Sequence, residues 1–389
     1  MTDRTISDRL RWWMEARFGL FLHWGVYAIT ARGEWEMRTN HVPPDEYARL
    51  ADEFNPQHYD AREWVAYAQD AGMKYMVLTT RHHDGFCLFD SKVSDFTAPK
   101  TAAKRDLVAD FADACHSMGM RVGFYYSLGD WRFHGTEPSG SSRPEDHDRM
   151  VEQAHSQVRE LMTQYGKVDV LWYDGGWVGD IWRSAELNRM VRRLQPDIII
   201  NDRSRTPEDF GTPEGEVHAL DRPWEACFTT NNSWGYRPGP RGYKSVEHLL
   251  GILADCAGQD GNFLLNVGPD ADGRVPRESV ERLQALGEWL RTYGEAIYGT
   301  RGFHLADHPY GATTRRGNTV YLLCHHLWPG ETMPFAWCPH RIKSACVLPS
   351  RKPARVEQKG DRVWLHGLPH HAPNRYMSVI ELQIEEGSR

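Results

Sequence analysis

The sequence predicts an α/β protein: a (β/α)8-like (TIM) barrel over residues 1–300, followed by a small C-terminal antiparallel β-sandwich domain over residues 301–389. Three observations carry that expectation. From Phe18 to about Tyr298, short apolar runs alternate with segments of helical period, the pattern of a parallel sheet covered on both faces. Glycines close the helical segments at Gly72, Gly119, Gly166 and Gly294. Beyond Gly302 the helical period gives way to short apolar or alternating runs separated by Gly, Pro and Asn.

Taken in order, Phe18–Trp24 reads as a strand, Ala61–Ala71 as a helix and Met73–Thr80 as a strand. Asp106–Ser117 is helical, Met120–Ser127 a strand and Glu145–Tyr165 a long helix. Val168–Asp174 is an apolar strand, Ser184–Leu194 a helix, Asp197–Asn201 a strand and Trp224–Thr229 a short strand. Val246–Cys256 is a helix, Asn262–Val267 a strand, and Pro276–Tyr293 a helix with Pro at its start and Gly just past its end. That gives about seven strands, one short of a closed barrel, with an irregular eighth expected. A doubly wound sheet would need a glycine-rich phosphate loop after an early strand, and Phe18–Gly25 offers none. In the C-terminal part, Thr319–Cys324, Cys346–Leu348, Ala354–Gln358, Arg362–His366 and Tyr376–Ile384 are the strand candidates.

Composition narrows the function. The net charge is −7 and the basic residues are scattered, so no nucleic-acid footprint is visible. No run approaches the ~20 apolar residues of a membrane span. The seven cysteines (Cys87, Cys115, Cys227, Cys256, Cys324, Cys338, Cys346) are odd in number, and none pairs at CxxC spacing. That argues against a disulfide framework and a zinc ribbon. With no signal-peptide pattern at the N-terminus, the expectation is a cytoplasmic protein. The sequence leaves the oligomeric state open, a homo-oligomer included.

The 15 tryptophans are numerous for 389 residues; most serve a core, but indoles also give pyranose rings a flat apolar face. The most informative segment is Leu171-Trp172-Tyr173-Asp174-Gly175-Gly176-Trp177, a buried strand that delivers one carboxylate into a glycine turn flanked by indoles. Such a carboxylate can attack or stabilise an anomeric carbon; it can equally cap a following helix. In barrels the chemistry sits at the C-terminal strand ends, and six predicted strands end in polar groups there. They are His23, Arg81-His82-His83-Asp84, Tyr125-Tyr126-Ser127, Asp174, Asn201-Asp202-Arg203 and Asn266. The histidines could bind a metal or hydrogen-bond sugar hydroxyls. Adjacent His82 and His83 on an extended segment should point in opposite directions, which disfavours one shared ion. Asn262–Pro276 lacks the ligand run of a calcium loop and reads as a turn into the next helix.

Ten segments in order resemble glycoside hydrolase family 29, the retaining α-L-fucosidases. They are Arg17–Ile29, Glu34–Arg38, Tyr75–Phe96, Arg105–Val108, Val122–Trp131, Val168–Trp177, Ile199–Arg203, Trp224–Tyr236, Gly261–Pro276 and Gly294–Arg301. The resemblance implies a barrel followed by a β-sandwich, and a double-displacement hydrolysis of terminal α-L-fucosyl linkages without metal or organic cofactor. It implies Asp174 as the nucleophile. In members of broad specificity the acid/base lies shortly after the Asn-Asp-Arg segment, in a stretch similar to Asp209–Glu214; that assigns Glu214, with Glu216 and Glu225 as competitors. His23, Glu34, Trp35, His82, His83, Tyr125 and Arg203 match positions that hold the fucose hydroxyls. Trp172 and Trp234 match aromatics near the sugar. Strand alternation allows only one of Tyr125 and Tyr126 to face the barrel mouth, and Tyr125 is expected there. Glu36 departs from the family, which commonly has Tyr at that place. The implied partner is a fucosylated oligosaccharide or glycoside. Two alternatives are a retaining glycosidase on a related sugar such as α-L-galactose and a catalytically silent fucose-binding protein.

Overall fold

The computed structural model describes residues 8–133, 144–175, 182–240, 242–305, 309–336 and 338–385. The expected Gly176 and Trp177, and most of the 129–144 loop, lie outside these residues.

Seven parallel strands form the first sheet: β1 (Phe18–Leu22), β2 (Tyr75–Arg81), β3 (Arg121–Ser127), β4 (Val170–Asp174), β5 (Ile199–Ile200), β6 (Glu225–Thr229) and β7 (Asn262–Val267). Their order is β5-β4-β3-β2-β1-β7-β6. The sheet edges, β5 and β6, are joined by a stretch too irregular to count as a strand. Asn201 bridges Phe210, Gly211 bridges Trp224, and Glu214 bridges Cys227, all in parallel. Residues 210–214 therefore occupy the eighth staff of the barrel. Its sequence, Phe-Gly-Thr-Pro-Glu, explains why no strand pattern announces it: Gly and Pro weaken a ladder, and only isolated bridges remain.

Alternation along the strands separates two cores. Phe18, Leu20, Leu22, Met76, Leu78, Val122, Phe124 and Leu171 face the surrounding helices. Phe21, Tyr75, Val77, Tyr125, Val170, Trp172, Ile199, Phe210 and Leu264 fill the barrel interior. The helix Asp8–Ala16, not among the elements expected from sequence, packs Leu10, Trp13 and Met14 into that interior cluster. The Trp13 ring lies 4.7 Å from Phe210. Since this helix runs straight into β1, it stops the N-terminal end of the barrel and leaves the C-terminal end for chemistry.

The C-terminal part has eight strands in the order β11-β14-β13-β12-β15-β10-β9-β8. They are β8 (Arg301–Gly302), β9 (Ala312–Arg316), β10 (Thr319–Cys324), β11 (Thr332–Phe335), β12 (Ile342–Val347), β13 (Lys352–Lys359), β14 (Arg362–His366) and β15 (Ser378–Ile384). Strand β13 pairs with β12 through Lys352–Ala354 and with β14 through Arg355–Lys359, so it passes from one layer to the other. The layers enclose Val320, Leu322, Met333, Val363, Leu365, Ile380 and Leu382. The opposite face of β10 and β15 presents Tyr321, Leu323 and Val379 to the barrel core. Trp289 Nε1 also donates to Met377 O at 2.8 Å.

Candidate active site

The strand ends converge on a cavity of about 460 Å³, its open mouth included, at the small end of ligand sites. Phe21, His23, Trp35, His82, His83, Tyr125, Trp172, Asp174, Arg203, Glu214, Cys227 and Trp234 line it. Its size suits one sugar ring. The floor is aromatic: Trp172 stacks on Tyr125 at 5.7 Å and meets Phe21 at 5.1 Å.

Asp174, the last residue of β4, is held from several sides. The Tyr125 hydroxyl donates to Oδ2 at 2.9 Å, and Arg203 Nη1 donates to Oδ1 at 3.1 Å. His83 Nε2 lies 3.6 Å from Oδ2. Burial alone would raise this carboxyl. Arg203, His83, the Gly175 N–H and Tyr125 outweigh it and hold the group below its ordinary value, ionised at neutral pH. The backbone is fixed as well: Leu128 N donates to Asp174 O at 2.7 Å, and the Asn201 amide bridges Tyr173 N and O at 2.8 and 2.9 Å. Asn201 thus extends the short β5 with its side chain.

Arg203 joins the two carboxylates. Its Nη2 donates to Glu214 Oε2 at 2.8 Å while Nη1 serves Asp174, and Nε donates to Thr212 Oγ1 at 2.9 Å. Its guanidinium carbon sits 4.6 Å over the Trp172 ring. Glu214 ends the irregular staff with its side chain 46% exposed, against 16% for Asp174. One carboxylate is enclosed and the other stands at the mouth.

The histidines are neutral at neutral pH. Burial lowers His23 to about 3 and His83 to about 4, and pushes His82 well below its ordinary value. Neutral imidazoles both donate and accept, which suits hydroxyl groups. His23 Nδ1 is set by Asn266 Oδ1 at 2.7 Å and His83 Nδ1 by Ser127 Oγ at 2.6 Å. The expected opposite orientation of His82 and His83 is not found. The chain turns after Arg81, the rings lie 4.1 Å apart, and both line the cavity.

The remaining expected residues separate. Glu34 does not line the cavity; its Oε2 accepts the Gly235 N–H at 2.7 Å, fixing the turn beside Trp234. Glu36 turns into a short helix, where it accepts from Thr30 Oγ1 and Arg32. Tyr126 points away from the mouth, donating to Gln157 Oε1 at 2.8 Å. Glu225 opens β6 at the opposite end from the strand tips. It lies under the floor, accepting from Trp172 Nε1 at 3.1 Å and from the Tyr75 hydroxyl. Glu216 borders a neighbouring cavity, not this one. Phe21 and Cys227 line the site without having been singled out as ligand contacts. Phe21 is hidden inside an apolar strand, and Cys227 lies on β6 as the bridge partner of Glu214.

Known proteins resemble the chain along most of its length. The family model described as Alpha-L-fucosidase matches residues 2–295. Tissue alpha-L-fucosidase of Rattus norvegicus is 32% identical over 358 residues, 82% of this chain and 77% of that protein. Alpha-L-fucosidase isoenzyme 1 from Paenibacillus thiaminolyticus is 36% identical with a TM-score of 0.91, covering 98% of this chain and 100% of that one. A family 29 structure from Bacteroides thetaiotaomicron is 27% identical with a TM-score of 0.91, covering 99% of this chain and 98% of its own. It holds a covalent intermediate trapped with 2-fluoro-fucosyl fluoride in a glutamate-to-glutamine mutant.

Proposed function

The chain belongs to the α-L-fucosidase family of retaining glycoside hydrolases, and from that premise we propose how its barrel mouth divides the work. The observation that carries the reading is the pair of carboxylates bound by one guanidinium at the entrance of a one-sugar cavity. Asp174 attacks the anomeric carbon as a carboxylate. Glu214 protonates the departing oxygen and then takes a proton from the incoming water. Arg203 holds both carboxylates at once through different nitrogens, which fixes their positions relative to each other. Burial of His23, His82 and His83 as neutral rings supplies donors and acceptors for the sugar hydroxyls. Phe21, Trp172 and Trp234 supply the apolar face against the methyl side of fucose. A closed floor limits the enzyme to terminal residues.

The leaving group has its own space. A second cavity of about 940 Å³, mouth included, shares Asp174, Arg203 and Glu214 with the first and continues past Asp202, Arg205, Glu216 and His218. Its charged lining suits a hydroxyl-rich aglycone. The seven free thiols, six of them buried, support a reducing compartment for the protein.

The test is hydrolysis of 4-nitrophenyl α-L-fucopyranoside by wild type, Asp174→Gly and Glu214→Ala, each with added azide. The reading expects azide to restore turnover in both variants. NMR would show inverted fucosyl azide from the first and retained fucosyl azide from the second. Retained product from Asp174→Gly would overturn the assignment.

A further inference from the structure

A second pair of adjacent histidines stands outside the catalytic cavity. We propose that Asp255, His325 and His326 bind a divalent transition ion, Zn²⁺ by their chemistry, which clamps the C-terminal β-domain to the barrel. Each of the three offers one ligand atom, and these atoms all lie within 4.8 Å of one another. Asp255 comes from the last turn of the barrel helix Val246–Gly258, and the histidines directly follow β10.

The local fold brings the two rings together. His325 N bonds back to Leu323 O at 3.1 Å and His326 N to Tyr310 O at 3.0 Å, which bends the chain out of strand alternation. The imidazoles then meet edge-on, 4.1 Å between centroids. His325 Nε2 lies 3.0 Å from Asp255 Oδ1. Gly251, one helical turn before Asp255, makes room: a Cβ there would stand 3.0 Å from His325 Nδ1. The His325 side chain is 5% exposed and that of Asp255 35%, while His326 is exposed. The site is thus backed on one side and open on the other, with space for water as a fourth ligand.

Donor chemistry selects the ion. Two imidazole nitrogens and one carboxylate oxygen suit Zn²⁺, whereas Ca²⁺ and Mg²⁺ need oxygen cages. Ligands at about 2.0–2.2 Å around a tetrahedral ion lie about 3.3 Å apart, so closing from 4.8 Å asks only for side-chain rotation. The carbonyl end of a helix also favours a cation. A plain Asp255–His325 hydrogen bond would tie the two units without an ion, but it gives no part to His326. That difference is the handle for a test.

The experiment titrates EDTA-treated full-length protein with ZnCl₂ by calorimetry and follows Tm with and without the ion, with CaCl₂ as control. The expected result is one Zn²⁺ per chain, a higher Tm with Zn²⁺ and no effect of Ca²⁺. His326→Ala should bind at least tenfold more weakly, Asp255→Asn should lose the Tm shift, and both should keep wild-type turnover of the nitrophenyl fucoside. Absence of a saturable site, a Tm lowered by Zn²⁺, or wild-type binding by His326→Ala would overturn the proposal. His326→Ala alone decides should Asp255→Asn fail to fold. Because turnover is read separately, a failed metal site leaves the fucosidase reading untouched.

Discussion

The two halves of the barrel mouth are built differently. From β1 to β4, strands of five to seven residues deliver His23, His82, His83, Tyr125 and Asp174 to an enclosed wall, where hydrogen bonds fix His23, His83, Tyr125 and Asp174. From β5 to β6, a two-residue strand is followed by a 3-10 turn at Asp202–Ser204, a left-handed Arg205 (φ 64°) and a staff of isolated bridges. That irregular half supplies Arg203 and Glu214. The difference matches the tasks. A nucleophile gains from a rigid, enclosed position aimed at one atom. In the proposed division of work a proton donor must meet both the leaving oxygen and the water that replaces it, and Glu214 is the more exposed carboxylate, at the mouth.

The sharpest way to break this comparison is to remove the rigid member. Asp174→Ala should lower kcat/KM by about 10⁴-fold or more, since the covalent step has no substitute. Far-UV circular dichroism should stay that of wild type. An active Asp174→Ala protein would leave the enclosed half without its assigned role.

Removing the exposed member should cost less and depend on the leaving group. Glu214→Gln should lose about 10²–10⁴-fold with a sugar aglycone, the range of general acid catalysis. The loss of the first step should be far smaller with a dinitrophenyl aglycone, which departs unprotonated. Pre-steady-state release of the phenolate separates the steps. Equal losses with both aglycones would mean that Glu214 does not donate the proton.

Arg203 links the halves, and its loss should show in a pH profile. It is the largest influence opposing the effect of burial on Asp174. With Arg203 present, the carboxylate stays ionised well into acid. Arg203→Met should raise the Asp174 pKa, so the acid limb of kcat/KM moves to higher pH. The maximum should fall about 10–10²-fold, as for a lost charged hydrogen bond. A limb that does not move would show that Tyr125, His83 and the Gly175 N–H suffice.

The same contrast explains what the sequence could and could not disclose. Asp174 was legible because a continuous apolar strand ends in it and glycine follows, and His23, Tyr125 and Asn266 because they lie within two residues of the ends of readable strands. The helix Ser184–Leu194 and strands Asn262–Val267 and Thr319–Cys324 match the reading residue for residue, each bounded by clear period and punctuation. Glu214 carries no such signal: a Gly-Thr-Pro-Glu staff held by bridges has no strand periodicity, and only family resemblance pointed to it. The helix Asp8–Ala16 was legible but missed; Leu10, Trp13 and Met14 have helical spacing within a highly charged stretch. Strands β9 and β11 were missed because Arg and Thr at Ala312–Arg316, and Pro334 in Thr332–Phe335, hide the alternation. The bend after Arg81 that unites His82 and His83 is a tertiary event that local alternation could not foresee.

The smallest effect on catalysis is expected at the third carboxylate, below the floor. Burial pushes the Glu225 carboxyl up to about 7 from an ordinary 4.5, against the hydrogen bonds from Tyr75 and Trp172. Between those two values the unfolded chain has released its proton and the folded protein still holds it. The contribution to stability is therefore complete below about pH 4.5 and is lost as pH rises through about 7. Such a shift corresponds to about 3 kcal/mol. Glu225→Gln keeps the neutral shape and should remove that pH dependence, with kcat/KM within a few-fold of wild type. Urea unfolding at pH 5 and pH 8 tests this as the difference between the two proteins. The difference matters because burial also raises Asp84, to about 6, in both. Parallel curves would mean that Tyr75 and Trp172 fully offset burial. A large loss of turnover would instead move the acid/base role from the mouth to the floor, and the division between the two halves of the rim would fall with it.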